Sequence, residues 1–565
     1  MRTPITEYQA GNSPTEVGAL NATSAYSRAK GTGYDSSDIA SKGGGNTITQ
    51  LGWHKKVGVG LDQDSSQKLN FEPNKEDQTG IIGSEMKVGI SSFASWMLGV
   101  GAIIGSYAWL AHGPMIAKAG PLAATSAWII AAVLTLPSAF ILAELSSMFP
   151  SAGGPYVFKY YAFKRLSSRT GEMIGFLTGW LFYICVICGL SCMGIGFSNL
   201  VSTCLYGSSA QAPVWLSTVL IVALFGSCTV MNMGPVNKAS NINTWATLLK
   251  FGMTFAFGAL VFFSPHASID NVFNNVSLTS SSSNFWACLS SVFLLALSGY
   301  SGIEITSCAA SETKDASKSV PRAIILTLLA TTAIYVSMSI AVSAASPYIL
   351  GPEGGTAMVA GTSTVATVPS LAGHLAGGMW GNLMTACVVA SIVGCGVSCL
   401  LSLARVGYSM AATGLFPRKF AELHPQTKSP RYALWFQFWG FIVVACGTDV
   451  LTKMGLCPNA YVFMGEVFGF VYAFLAILYA FCLVSLRYTD PDMARPFRVG
   501  ASGNGLAWTM AICSAAVYGF AAFACCNWVQ QVTSLVLLLA GVPIYFYYRG
   551  RENFSPANIQ SPVAE

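Results

Sequence analysis

The sequence predicts an all-α integral membrane protein of twelve transmembrane helices, and three observations predict it. Of 565 residues, 53% are hydrophobic and only 10% are charged, where a soluble chain carries about 25% charged residues. The mean hydropathy is +0.54. Twelve apolar segments reach the roughly 20 residues that a bilayer crossing needs. They lie near 88–112, 121–147, 173–203, 213–232, 242–264, 285–308, 321–344, 378–404, 431–450, 460–486, 506–527 and 529–549.

Lysine and arginine positions support that count. With a cytoplasmic N-terminus, the inner connections hold Lys159, Lys164, Arg165 and Arg169, then Lys238, then Lys314, Lys318 and Arg322. Arg405, Arg418, Lys419, Lys428 and Arg431 follow the eighth span, Arg487, Arg495 and Arg498 the tenth, and Arg549 and Arg551 the last. The outer connections keep Lys118 and Lys453. Such one-sidedness is the positive-inside pattern, and it puts both termini in the cytoplasm.

Taken in order, residues 1–86 are polar and rich in Gly, Ser, Asn and Thr, which predicts a disordered cytoplasmic tail. Residues 87–264 hold five spans, 285–486 a second five and 506–549 the last two, before a short cytoplasmic tail at 550–565. A sequon, Asn275-Val276-Ser277, falls in a predicted outer connection. Most of the sixteen cysteines sit inside apolar runs and read as small hydrophobes. Cys204 and Cys457 fall nearer an outer surface, and no bridge between them is expected. No metal-ligand spacing or nucleophile–base constellation is present, so neither a cofactor nor an enzyme is expected, and no nucleic-acid partner.

The first span is interrupted. Residues 95–113 carry Gly99, Gly101, Gly105 and Gly113, with Pro114 after them, and each glycine costs a helix about 1 kcal/mol relative to alanine. A helix broken in the bilayer exposes backbone groups that only a protein-lined cavity or a bound solute satisfies. The alternative is close helix packing on a glycine face. The sixth span repeats the interruption at Gly299 and Gly302, with Glu304 just beyond. Two five-helix halves would place these spans in corresponding, inverted positions, a pattern that points to a midplane substrate site. Free N–H groups near Gly105, Ser106 and Tyr107 would suit a carboxylate, and free carbonyls near Ser298 and Gly299 an ammonium. A zwitterion offers both.

These residues resemble the amino acid–polyamine–organocation transporter superfamily. Gly105-Ser106-Tyr107-Ala108-Trp109 is similar to its first-span motif, and the run from Ala143-Glu144-Leu145 to Ala152-Gly153-Gly154-Pro155-Tyr156 to its second-span ending. Further similarities are Ala309 to Asp315 with Pro321-Arg322-Ala323, Arg405-Val406-Gly407-Tyr408 running to Gly414-Leu415-Phe416-Pro417, and Arg495-Pro496-Phe497-Arg498. The resemblance covers about residues 86–550. It implies the leucine-transporter-like 5+5 inverted repeat with broken helices 1 and 6, alternating access, and an amino acid or related amine as substrate. It also implies that Lys250, in the fifth span, stands where sodium sits in sodium-coupled relatives. Transport would then be sodium-independent, by proton coupling or exchange. The other reading of Lys250 is snorkelling to an interface.

The substrate site is expected at Gly101, Gly105, Ser106 and Tyr107 of the first span and Ser298, Gly299, Tyr300, Gly302 and Glu304 of the sixth. Tyr107 replaces a motif glycine and Ser298 stands where relatives carry an aromatic gate, so the Tyr107 ring is expected against Ser298. Glu304 is read either as an ammonium or proton acceptor or as a cap on freed amides. Glu466 invites the same two readings, and Glu144 a structural contact with loop backbone. The function expected is secondary transport of an amino acid, in the plasma membrane, with the bilayer as partner. The alternatives are an amine lacking a carboxylate (ethanolamine or a polyamine) and a non-transporting nutrient sensor. The oligomeric state is not legible in the sequence.

Overall fold

The computed structural model describes residues 57–58, 72–73, 82–83, 85–207, 212–265, 267–274, 284–350, 367–455, 460–500, 503–524 and 528–549. The sequon at 275–277, Cys457, residues 551–565 and nearly all of the predicted N-terminal tail lie outside them. The described helices are α1 (Ser92–Ile103), α2 (Tyr107–Leu110), α3 (His112–Ala119), α4 (Pro121–Met148), α5 (Gly154–Leu166), α6 (Ser168–Tyr206), α7 (Val214–Met233) and α8 (Val236–Phe262). They continue as α9 (Phe285–Gly299), α10 (Ile305–Cys308), α11 (Ala316–Ala344), α12 (Pro347–Leu350), α13 (Val368–Ala376), α14 (Gly378–Ala412) and α15 (Arg431–Lys453). The last four are α16 (Ala460–Thr489), α17 (Gly505–Ala524), α18 (Trp528–Leu539) and α19 (Gly541–Arg549).

Among the described residues, 10 helices are long and apolar enough to cross a membrane. α1 and α9 are shorter apolar helices, and they occupy the places predicted for the first and sixth spans. The protein is an integral, multi-pass membrane protein. Helices suit this setting because every backbone bond closes within its own segment. α8 shows the setting in its side chains. It exposes Trp245, Phe255 and Phe262 while burying Asn243, Thr247 and Lys250, the reverse of a helix on a water-soluble protein.

The first span runs further than expected. Pro114 lies inside α3 rather than after the span, and Lys118 sits in its last turn, donating to the Ser291 carbonyl at 3.0 Å. Packing centres on the two interrupted spans: α1 lies on α8, α11 and α14, α9 lies on α4 and α16, and α6 lies on α5, α14 and α16. Ile82, inside the predicted tail, is packed against the bundle: its carbonyl accepts the Ala152 N–H at 3.0 Å.

One end of the bundle is held by buried ion pairs. Arg405 donates to Glu312 through Nε (2.7 Å) and Nη2 (3.1 Å), and both side chains are 2% exposed. Glu144 accepts from Arg487 Nη2 at 2.6 Å and from the Val499 N–H at 2.7 Å. The contact with loop backbone expected for Glu144 is there, with an arginine added. Lys159 and Arg405, both expected in solvated connections, are buried. α5 folds back against α6 and α16, and Arg405 falls within α14 rather than after it.

Candidate substrate site at the interrupted helices

The two interruptions border one cavity. α1 stops at Ile103, Ile104 leaves helical geometry (φ −81°, ψ 81°), and the chain turns helical again at Tyr107. The last carbonyls of a helix have no donors within it, and lipid supplies none. Here side chains from three helices supply them. Lys250 Nζ of α8 donates to the carbonyls of Gly101 (2.9 Å) and Ile104 (2.6 Å). The Cys395 thiol of α14 donates to the Ala102 carbonyl at 3.0 Å, and the Tyr335 hydroxyl of α11 to the Ile103 carbonyl at 3.1 Å. A cation at a helix C-terminus also meets the negative end of the helix dipole.

Two further residues of α8 join this contact. Asn243 Nδ2 and Thr247 Oγ1 donate to the Met97 carbonyl at 2.9 and 3.3 Å. Asn243, Thr247 and Lys250 recur at i, i+4 and i+7, so one face of the helix carries all three. That polar stripe was legible in the sequence; only its lysine was singled out.

The sixth span breaks differently. Beyond Gly299 the N–H groups of Tyr300 and Ser301 turn back to the Leu297 and Ser298 carbonyls, both at 3.1 Å. Gly302 then takes φ +103°, a conformation open to glycine and strained for other residues, and the helix resumes as α10. The Ser298 carbonyl, expected free, is thereby engaged. So is the Gly105 N–H, which bonds the Ile103 carbonyl at 2.9 Å. The N–H groups of Ser106 and Tyr107 precede the first bond of the restarting helix, from Trp109 to the Ser106 carbonyl at 3.1 Å.

The cavity holds about 630 Å³ of atom-free space, including the part open to solvent. Gly105, Ser106, Tyr107, Ser298, Gly299, Gly302 and Glu304 line it. Gly101, Tyr300 and Lys250 do not. Gly101 is pressed against Asn243, whose side chain would overlap any carbon added there. Tyr300 points the other way: its hydroxyl donates to the Trp128 carbonyl at 3.1 Å, and its ring packs edge-on against Trp128 and Tyr335. Lys250 lies behind α1, occupied by its two carbonyls.

Residues not singled out from the sequence complete the wall. Cys185, Val186, Leu190 and Met193 come from α6, Cys395 and Cys399 from α14, and Phe468 and Tyr472 from α16. Nothing in a run such as Cys185–Met193 separates a cavity wall from a lipid-facing or core position. Three polar features stand out in this apolar lining. The Tyr107 hydroxyl lies beside the Ser298 side chain, and among the described residues neither it nor the Ser301 hydroxyl meets a partner in hydrogen-bond geometry. Glu304 is 2% exposed, and its Oε2 accepts from the Tyr472 hydroxyl at 3.1 Å. The carboxylate also meets the backbone N–H groups of Gly302 and of Glu304 itself, in keeping with the capping of freed amides, while its place in the wall is in keeping with the acceptor reading.

A buried hydroxyl without a partner carries an uncompensated desolvation cost, and replacing it with an apolar group is nearly neutral for folding. Tyr107→Phe is therefore expected to leave stability within about 0.5 kcal/mol, while raising the KM for a substrate that bonds this hydroxyl. Thermal unfolding in detergent and uptake kinetics measure the two effects separately.

The chain matches the amino acid permease family over residues 90–546. It is 26% identical over 494 residues to the branched-chain amino acid permease BcaP of Bacillus subtilis, covering 82% of this chain and 93% of that protein. It is 28% identical over 389 residues to the serine/threonine exchanger SteT of the same organism, covering 67% and 80%. To the large neutral amino acids transporter small subunit 2 of Rattus norvegicus it is 24% identical over 494 residues, covering 84% and 83%. With two interrupted apolar helices bordering one cavity, and with that match across most of its length, the chain belongs to the amino acid permease family of non-enzymatic membrane transporters.

Proposed function

We propose that the chain is a secondary active transporter that moves an amino acid by alternating access, without sodium, on a twelve-helix frame of two inverted five-helix halves. Both termini then lie in the cytoplasm and the plasma membrane is the site of action. The observation that carries this reading is the ammonium of Lys250 spanning the Gly101 and Ile104 carbonyls at the break of the first span. A fixed cation on the carbonyls that a broken helix leaves bare does the work a metal ion would do there, so no mobile ion is needed to hold the break together.

The substrate reading follows from the cavity wall. The N–H groups ahead of Trp109 suit a carboxylate, the α9 end carries the negative pole of a helix dipole for an ammonium, and apolar residues of α6 and α16 suit a side chain. The relatives named above are described as carriers of branched-chain amino acids, serine and threonine, and large neutral amino acids.

Glu304 in the wall favours a second reading, an amine without a carboxylate. Competition between an amino acid and its decarboxylated amine separates the two: only the amino acid is expected to compete. Uptake in reconstituted vesicles is expected to persist when sodium is replaced by N-methylglucamine. Strict sodium dependence would overturn the role given to Lys250.

A further inference from the structure

Lys159 carries a charge in a place where charge counting along the chain does not look for one. It is fully buried in α5, and among the described residues its Nζ has no hydrogen-bond acceptor. It lies instead over the Tyr479 ring, 4.4 Å from the centroid, with the Phe182 ring at 5.6 Å. Removing an ammonium from water is costly, and aromatic faces return only part of that cost. The titratable groups around it come from three elements: Glu304 and Cys308 at the break of the sixth span, Cys185 of α6, and Tyr479 and Cys482 of α16. Glu304 is the only carboxylate among them.

Glu304 borders the cavity; Lys159, which does not line it, lies over Tyr479, two turns along α16 from the Tyr472 that bonds Glu304. The two form no direct ion pair among the described contacts, so their attraction acts through a poorly screening interior.

We infer that Lys159 is the internal counter-cation of Glu304, and that the pair keeps the cavity electrically neutral and so selects substrates whose side chain is uncharged. The inference rests on the amino acid transport reading and narrows it. A cationic side chain would have to compete with Lys159 for the same carboxylate after losing its own water. An anionic side chain would meet Glu304 first. The α-ammonium and α-carboxylate of a zwitterion sum to zero and disturb neither. Lys159 acts through Glu304 and is a positioning residue.

Uptake of leucine, lysine and glutamate by the full chain in reconstituted vesicles tests this. Lys159→Met is expected to raise the lysine-to-leucine uptake ratio at least about tenfold, because the carboxylate loses its partner. Glu304→Gln is expected to raise the glutamate-to-leucine ratio by a similar factor. Combining the two restores the wild-type ratios, and Lys159→Arg keeps them. A merely structural role for Lys159 would lower uptake of all three substrates together. Unchanged ratios in both single variants overturn the inference while leaving amino acid transport standing. Absence of uptake by the wild type overturns the transport reading and the inference with it. If Lys159→Met does not fold, the Glu304→Gln ratio decides in the same way.

Discussion

Lys250→Ala is expected to abolish uptake and to lower folding stability by about 2–5 kcal/mol. The magnitude follows from what the ammonium leaves behind. Two buried carbonyls, at Gly101 and Ile104, lose their donor, and an unsatisfied buried acceptor costs about 1–3 kcal/mol. The space vacated by the four-carbon stem adds a cavity term. Lys250→Met keeps that packing and removes only the donor, so it is expected to retain more stability than alanine and still to lose uptake. Thermal unfolding in detergent and initial uptake rates measure both. Near-normal uptake by the methionine variant would show that the break holds its geometry without a cation.

Removing Arg405 is expected to be as damaging for a different reason. Its guanidinium meets Glu312 bidentately, and its Nη1 also donates to the Leu401 carbonyl at 2.9 Å. Taking away one partner of a buried pair strands the other charge, at a cost of about 3–5 kcal/mol. Arg405→Leu and Glu312→Leu are each expected to fall in that range. The double variant is expected to recover most of the loss, because two apolar side chains leave no charge behind. Unfolding midpoints of the three variants form the cycle. A double variant as unstable as either single one would mean that Leu401 and the neighbouring backbone, rather than the ion pair, hold this end together.

Much of this architecture is legible in the sequence because membranes simplify it. Apolar length alone locates the 10 long apolar helices among the described residues, and Gly101 and Gly105 bracket Ile103, where α1 ends. What is not legible follows from direction rather than from position. Tyr300 sits in the break as expected, yet its side chain turns toward Trp128, because a non-helical turn does not project side chains by any fixed period. Lys159 and Arg405 were assigned to connections because charge in such a sequence ordinarily marks water. A short helix that folds back under the bundle, and a long one that carries its last arginine inward, defeat that assignment. The stripe of Asn243, Thr247 and Lys250 is the opposite case: its period was on view, and only the partner across it was not.

Lys250 grips α1 on both sides of the point where the helix ends, once at Gly101 within it and once at Ile104 beyond it. A swing of α1 about Ile104 would pull those two acceptors apart, so the lysine serves as the fulcrum of any such stroke. Its grip cannot follow both. One bond would be surrendered partway through the movement, in a fully buried setting. The rate of the stroke would then climb steeply with temperature, and a shorter or blunter side chain at this position would change the pace of the cycle before it changed what the cavity holds.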